Sequence, residues 1–551
     1  MDSLNNQVEN WNELKRHTPE KLNLARAALK EIQQGVKVFE AIRRHPITAE
    51  GGGYIGKQML VAVYREMVAA GEIEEDPKLL AKIRMKPIRT QSGVTVVTVL
   101  TKPYPCPGKC VFCPTDVRMP KSYLPDEPGA MRALHHQFDP FEQVAARLEA
   151  LEAVGHPTDK IELLILGGTW SSYRKDYQEW FVHRLFDAMN GPEAKHAPEE
   201  YQERMSMDSL DLPAAQAYNQ TAVHRNVGLV IETRPDHVDI EELAWLRHLG
   251  VTKVQMGAQS FDDHILEINK RGHDVRATRQ AVALLRAAGF KIVLHWMPNL
   301  YGATPESDRL DFARMWQGYC PDEIKIYPNQ LLENAELYQY WQQGLFQPYT
   351  TEALIELLVE IKPSVPRYCR VNRVIRDIPS TNVVEGNKRT SLRMDVHLEM
   401  KRRGTACQCV RCREVRGHSV DEESLQLNDL VYQTGEAQEH FLSYDTPDDR
   451  LAGFLRLSLP GPDSPHTGLK DLDGAALIRE VHVYGQSIEV GDSKEGAAQH
   501  IGLGTNLLQQ AEELARQKGF EKLAVISAVG TREYYAGRGF EMGELYMVKK
   551  I

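Results

Sequence analysis

The stretch Gly93-Val-Thr-Val-Val-Thr-Val-Leu-Thr101 runs directly into Lys102-Pro-Tyr-Pro-Cys106-Pro-Gly-Lys-Cys110-Val-Phe-Cys113. The first part is β-branched and apolar, which predicts a buried strand. The second packs three cysteines at C-x3-C-x2-C spacing immediately after that strand. Downstream, helical and strand patterns alternate. Predicted helices near 141–154, 177–189, 240–249, 277–288 and 307–317 are interleaved with predicted strands near 161–166, 227–232, 253–256, 291–296 and 323–327. Strand–helix alternation predicts parallel βαβ units, and about six of them predict a full or partial β/α barrel whose chemistry sits in the loops after the strands.

The flanks differ in kind. Residues 10–80 read as helical: Leu22, Leu24, Ala28, Leu29, Ile32, Val36, Phe39 and Ile42 follow a helical spacing broken at Gly35, and another helix is expected over 57–70. Residues 425–551 read as a separate α+β domain, with a strand over 476–484 and a helix starting near Gln499. The expected division is a helical, basic N-terminal region (1–90), a barrel (91–361), a basic linker with a cysteine-rich metal site (362–420) and an α+β domain (421–551).

Of the 551 residues, 42% are hydrophobic and 26% charged, the balance of an ordinary globular chain. No apolar run reaches the ~18 residues of a membrane span, and the N-terminus lacks a secretory pattern, so no membrane partner and a cytoplasmic location are expected. The net charge of −10 comes from residues 421–551, which hold 12 basic against 22 acidic residues. By contrast, residues 367–416 carry 13 basic against 5 acidic, a surplus that reads as a polyanion-binding surface or as a solvated, salt-bridged helix face.

Three thiolates as close as Cys106, Cys110 and Cys113 can bind three irons of a [4Fe-4S] cluster and leave the fourth open. A zinc site short of one ligand, or a plain electron-transfer cluster, would use the same residues. Gly167-Gly168-Thr169 follows the second predicted strand, where glycines allow a small ligand close to the backbone; a tight turn explains them equally. Glu232 and Gln255, on the third and fourth strands, should face the barrel site. The second triplet, Cys407, Cys409 and Cys412, suits zinc with one further ligand from His397, His418, Asp395 or Cys320, or holds free thiols.

In the last domain, Gln499-His500-Ile501-Gly502-Leu503-Gly504 opens an amphipathic helix, a place where free backbone N–H groups cradle a pyrophosphate. Glu480 and His482 could act as bases or simply be satisfied strand residues. The run Thr531 to Phe540 closes on Tyr535-Ala-Gly-Arg-Gly539-Phe540.

The cysteine loop, Phe112 before its last cysteine and its position after a strand resemble the radical S-adenosylmethionine (SAM) superfamily. The C-terminal motifs resemble the GNAT acetyltransferases, in which the pyrophosphate belongs to coenzyme A. The pairing resembles the catalytic-subunit family of the Elongator complex in its stand-alone bacterial or archaeal form. It extends over nearly the whole chain, through Lys86-Pro-Ile-Arg89, Glu127-Pro-Gly-Ala-Met-Arg132, Glu232-Thr-Arg-Pro-Asp236, Lys270-Arg-Gly-His273, Lys325-Ile-Tyr-Pro328, Arg376-Asp-Ile-Pro-Ser380 and Gly530-Thr-Arg-Glu-Tyr-Tyr535.

That resemblance implies a tRNA uridine carboxymethyltransferase, an acyltransferase that uses SAM radical chemistry and acetyl-CoA to form 5-carboxymethyluridine at the wobble position. It implies a [4Fe-4S] cluster on Cys106, Cys110 and Cys113. SAM contacts fall to Gly167, Gly168, Thr169, Glu232 and Gln255, and acetyl-CoA contacts to Gln499, His500, Gly502, Leu503 and Gly504. Tyr535 would protonate the departing thiolate, or both Tyr534 and Tyr535 would pack on the coenzyme A tail; Lys270 joins them as a catalytic candidate. The expected partners are the anticodon stem-loop of tRNA, acetyl-CoA and an electron donor, with a homodimer left open. A protein lysine acetyltransferase with a purely structural cluster, and a non-catalytic RNA-binding scaffold, are the competing readings.

Overall fold

The structure is a computed structural model that describes residues 17–48, 53–90, 92–191, 211–416, 420–484 and 502–551. The chain forms two compact units, one drawn from residues 1–91 and 146–158 and the other from the remainder.

The first unit is helical, as its spacing predicts. Helices span Pro19–Gln33, Val38–Arg44, Lys57–Ala69 and Pro77–Ile83. Two start on a proline that follows a capping side chain: Thr18 accepts from Lys21 N–H, and Asp76 from Lys78 and Leu79 N–H. Gly35, at φ 98°, ends the first helix. Ala28, Leu29, Ile32 and Ile42 are buried together with Met59, Leu60 and Tyr64. Phe39 departs from the expected pattern: it is 63% exposed, because the chain restarts a new helix after Gly35 and the 3.6-residue phase is lost there.

The second unit holds two seven-stranded sheets. The first is parallel and ordered β1 to β7: β1 (Thr95–Leu100), β2 (Lys160–Leu166), β3 (Arg225–Thr233), β4 (Lys253–Gln259), β5 (Lys291–Trp296), β6 (Glu323–Ile326) and β7 (Arg370–Arg373). Helices including Lys175–Asn190, Ile240–His248, Val275–Ala287 and Pro305–Arg314 make the crossovers. The sequence-order sheet is the expected barrel-type winding, with β7 as an addition. That strand lies inside the segment read as a basic linker, where its sequence Arg-Val-Asn-Arg has too little apolar content to signal a strand. Pairing with β6 supplies what the pattern lacks.

The second sheet contains β8 (Gln426–Gln433), β9 (Ala437–Asp445), β10 (Leu451–Pro460), β11 (Ala475–Val483), β12 (Lys522–Val525), β13 (Glu541–Met542) and β14 (Met547–Lys550). Its order is β13-β14-β12-β11-β10-β9-β8, antiparallel except for β11 against β12. The helix Leu503–Gln517 buries Leu503, Leu507, Leu508, Ala511 and Ala515 in the core of this sheet. β11 pairs with β12 only from Ala475 to Ile478 and then runs on to Val483, so the two parallel strands part. β10 carries a register shift between Arg456 and Leu457.

The two sheets are joined by buried charge. Arg479 on β11 reaches Asp322 and donates to Glu439 at 2.8 Å; Arg456 on β10 donates to Glu480 at 2.9 Å and lies 3.5 Å from Asp322. Lys291, at the start of β5, pairs with Glu480. Gly530 marks a second seam, since a Cβ there would lie 2.8 Å from the Asn226 carbonyl on β3, closer than a real side chain tolerates.

Candidate functional site

The cysteine loop follows β1. Val111 N–H donates to Asn269 O at 3.2 Å and Leu337 N–H to Val111 O at 2.8 Å, so backbone bonds hold the loop across two other loops. Cys110, Val111 and Phe112 sit in an apolar cluster with Ile265, Leu300, Leu331 and Phe346. Cys110 is held to about 5, well below an ordinary thiol, by the neighbouring Cys113 thiol and then by Arg271, against the opposing effect of burial. Arg271 Nη1 donates to Cys110 Sγ at 3.4 Å.

Gly167-Gly168-Thr169 meets this loop. Cys106 Sγ and Thr169 Oγ1 are 3.6 Å apart. Gly167 has φ 152°, and a Cβ on it would collide with Thr101 Oγ1; no other residue fits between the ends of β1 and β2. The fold thus brings together two motifs whose contacting residues, Cys106 and Thr169, are 63 apart in sequence. Three thiols on one pinned loop, a small-residue loop against them and buried guanidinium groups beside them form a donor set that fits an iron–sulfur cluster with one open iron.

The sheet interior continues the site. Glu232, Gln255, His295 and Lys325 come from β3, β4, β5 and β6. Gln255 Oε1 accepts from Lys325 and lies 3.1 Å from His295 Nε2. Because that oxygen only accepts, His295 carries its proton on Nε2 and leaves Nδ1 bare, 3.8 Å from Glu232 Oε1. Burial, with Lys325, Arg376 and Arg271 nearby, pushes His295 well below its ordinary value, so it is neutral. Burial raises Glu232 despite Lys325 and Arg376. Two positions earlier on their strands, Lys253 lies 3.0 Å from Glu162 and 3.4 Å from Glu323. An i, i+2 step keeps residues on one face of a strand, so a polar column runs from Gln255 and Lys325 through Lys253 and Glu323.

On the second sheet, the column meets Glu480. Burial opposes its charge, but Lys291 and Arg456 hold it at about 2, which leaves it a poor base. His482 is half-buried and lowered to about 4 by desolvation, with Nε2 buried and unpartnered among the described residues. Gly502, at φ 72°, caps the helix Leu503–Gln517, and Gly504 lies against Tyr534 Oη. Gln499 and His500 fall outside the described residues. Tyr535 packs in the domain core against Phe540, and burial raises its hydroxyl above the ordinary value. Arg538 lies 3.6 Å over the Tyr534 ring.

Lys270 stands apart from this column. It is exposed, lies 2.5 Å from Glu336, and lines a pocket of about 860 Å³ with Gly108, Asp236 and His273. The second cysteine triplet converges: the Cys407, Cys409 and Cys412 sulfurs lie within 4.8 Å of one another. Of the expected fourth ligands, His397 Nε2 is 3.9 Å from Cys412 Sγ. Asp395 pairs with Arg389, the Cys320 thiol donates to Trp316 O, and His418 lies outside the described residues.

Part of the positive surplus of residues 367–416 is offset by acids outside the segment. Arg367 pairs with Asp449, Arg376 with Glu127, Arg403 with Glu356 and Arg413 with Asp445, while Arg370 pairs with Glu414 within it. Lys388, Arg389, Lys401 and Arg402 remain exposed. Arg234, Arg271 and Lys325 lie inside the motifs quoted above without being singled out there, and His295 lies outside them. For Lys325 the available signal is the i, i+2 alternation of polar residues in β4 and of charged residues in β6.

Residues 104–314 match the radical SAM superfamily, and residues 321–402 the radical SAM C-terminal domain. The tRNA uridine(34) acetyltransferase of Dehalococcoides mccartyi is 41% identical over 472 residues, covering 84% of this chain and 99% of that protein. Elongator complex protein 3 of Danio rerio is 36% identical over 492 residues, covering 86% of this chain and 87% of that one. The solved structure of an archaeal Elp3 from Methanocaldococcus infernus, with an N-terminal deletion (1–46), aligns with a TM-score of 0.70 at 37% identity, over 84% of this chain and all of that one. A parallel strand-ordered sheet with its cysteine loop, a second sheet fused behind it and likeness along most of the chain place this protein in the family of the tRNA uridine(34) acetyltransferases and Elongator complex protein 3.

Proposed function

We propose that this chain modifies uridine 34 of tRNA, using SAM and acetyl-CoA to install a carboxymethyl group at carbon 5. The observation that carries the reading is the joining of the two sites: the cysteine loop opens on a polar sheet interior whose far end meets Glu480 on the strand that parts from β12. When bound on Cys106, Cys110 and Cys113, a [4Fe-4S] cluster with SAM supplies one-electron, hydrogen-abstracting chemistry.

The chain's own residues do the rest. Gly167, Gly168 and Thr169 approach SAM through the backbone, with Glu232 and Gln255 facing it from β3 and β4. The second sheet is read as a GNAT-like domain: parted parallel strands beside a helix that starts at Gly502-Leu503-Gly504 fit the pantetheine and pyrophosphate of acetyl-CoA. Tyr535, kept protonated by burial, is suited to give a proton to the departing thiolate. Lys270 takes part only if its pair with Glu336 opens when substrate binds. The N-terminal helical region and the exposed Lys388, Arg389, Lys401 and Arg402 supply salt-dependent phosphate contacts for the anticodon stem-loop. A separate one-electron donor protein completes the set.

The test is an anaerobic reaction of the iron-reconstituted chain with SAM, reductant, acetyl-CoA and unmodified tRNA, followed by mass spectrometry of the nucleosides. Carboxymethyluridine that requires both SAM and acetyl-CoA is expected. Loaded protein that cleaves SAM yet leaves the tRNA unchanged would overturn the substrate.

The second triplet is read as a structural zinc site of Cys407, Cys409, Cys412 and His397, tying a segment with little core of its own. Metal analysis of protein purified without added metal should give about one zinc per chain, lost in Cys409→Ser together with thermal stability. Metal-free protein of unchanged stability would mean that the three are held as thiols.

A further inference from the structure

Arg271 is a buried cation without a matching anion. It is 6% exposed; Nη1 donates to Cys110 Sγ at 3.4 Å and Nη2 to the Gly257 carbonyl at 2.6 Å, while Nε has no partner among the described residues. Among those residues no carboxylate stands within ion-pair distance of it; the Glu232 carboxylate feels its charge only from farther off. A buried guanidinium left in that state costs several kcal/mol, so an anion is expected beside it. The one group in contact that becomes anionic is the cysteine thiol.

Arg234 repeats the arrangement beside Gly108, nearer the start of the loop. It is 4% exposed, and its Nε and Nη2 hold Asp236 at 2.9 and 2.8 Å. Its Nη1 is buried, without a partner among the described residues, and lies where a side chain on Gly108 would collide with it. Gly108 N–H in turn donates to Cys106 Sγ at 3.4 Å. Two guanidinium groups therefore flank the cysteine loop. Asp236 offsets the charge of Arg234 at contact, whereas Arg271 has only the more distant Glu232 against it.

Building on the reading of this loop as an iron–sulfur site, we propose that Arg271, assisted by Arg234, is the counter-charge that sets the reduction potential of the cluster. Reduction adds one electron, and so one unit of negative charge, to a group already made anionic by three thiolates. A fixed buried cation in contact with a ligand sulfur stabilises the reduced state more than the oxidised one, and hydrogen bonds to cluster sulfurs act in the same direction. The electron comes from dithionite in the experiment and from a one-electron donor protein otherwise. Arg271 acts through Cys110 and is a positioning residue, not a catalytic one.

The experiment is an equilibrium dithionite titration of the iron-reconstituted full chain, followed by electron paramagnetic resonance, without SAM, acetyl-CoA or tRNA. Arg271→Gln should lower the ratio of reduced to oxidised cluster at a fixed potential about tenfold, a midpoint more negative by about 59 mV for one electron. Arg271→Lys, which keeps the charge, should recover most of that shift, and Arg234→Gln should give a smaller negative one. Arg271→Gln at the wild-type midpoint overturns the proposal. If iron and sulfide analysis shows that Arg271→Gln does not load, Arg271→Lys and Arg234→Gln decide it: both at the wild-type midpoint overturn it equally. Because no tRNA is present, the outcome is independent of whether uridine is the substrate.

Discussion

Cys110→Ser is expected to remove the modified nucleoside while leaving the fold and acetyl-CoA binding in place. Cys110 is the most enclosed of the three loop thiols, 6% exposed and in contact with Arg271. Serine occupies nearly the same volume, and the bonds that pin the loop are backbone bonds of Val111, which the substitution does not touch. A hydroxyl does not replace a soft thiolate on iron, so iron per chain should fall sharply. Product formation should drop by more than the ~10–100-fold typical of residues that only support a metal ligand. Calorimetric binding of acetyl-CoA should be unchanged, because Cys110 lies on the β1 loop, far in the chain from the second sheet. Full product formation by Cys110→Ser would mean that the modification does not need the cluster and that the cysteine loop is structural.

Asp322→Asn should be the most destabilising single change in the second unit, by about 3–5 kcal/mol in urea unfolding, because breaking a buried ion pair leaves its partner charge uncompensated. Asp322 is fully buried between β5 and β6 and faces Arg479 and Arg456, both fully buried themselves. Its Oδ2 also accepts from Ile292 N–H at 2.8 Å. The amide keeps the size and loses the charge, so the loss reports electrostatics rather than a cavity. A loss below about 1 kcal/mol, the scale of an exposed pair, would mean that the arginines reach water.

The same network sets an acid limit. Burial disfavours ionisation of Asp322, Glu323 and Glu480, yet Arg479 and Arg456, Lys253 and Lys291, and Lys291 and Arg456 respectively hold each at about 2. Folded values below the unfolded carboxylate range mean stability that is complete above pH ~4 and lost as pH falls from there towards 2. Urea midpoints measured across that window should drop steeply, and Asp322→Asn should flatten the dependence.

Much of this protein is local and therefore legible. The strand 93–101 and its cysteine loop, the βαβ rhythm and the helix after Gly502 are short-range patterns of apolar period and turn chemistry. Each prediction there lands within a few residues of the observed element. What failed was non-local. β7 has no strand signature of its own and exists because β6 offers it an edge. Phe39 lost its phase at a helix break a sequence pattern does not register. The surplus of basic residues in 367–416 leaves a polyanion surface and a salt-bridged face both open in the sequence, and the acids that form the salt bridges, Glu127, Glu356, Asp445 and Asp449, lie up to about 250 residues away.

By itself the sequence determined the order of elements and the grouping of the cysteines, because both are written in spacing: C-x3-C-x2-C on one loop, Cys407, Cys409 and Cys412 on another, glycines at a strand end. Only the tertiary structure decided which charges are free. Cys110 meets Arg271 from 161 residues away, Asp322 meets Arg479 from 157, and Gln255 meets Lys325 from 70. The free energy of a charge depends on whether a counter-charge stands beside it in a region without water. That is a property of three-dimensional packing, which no count along the chain contains.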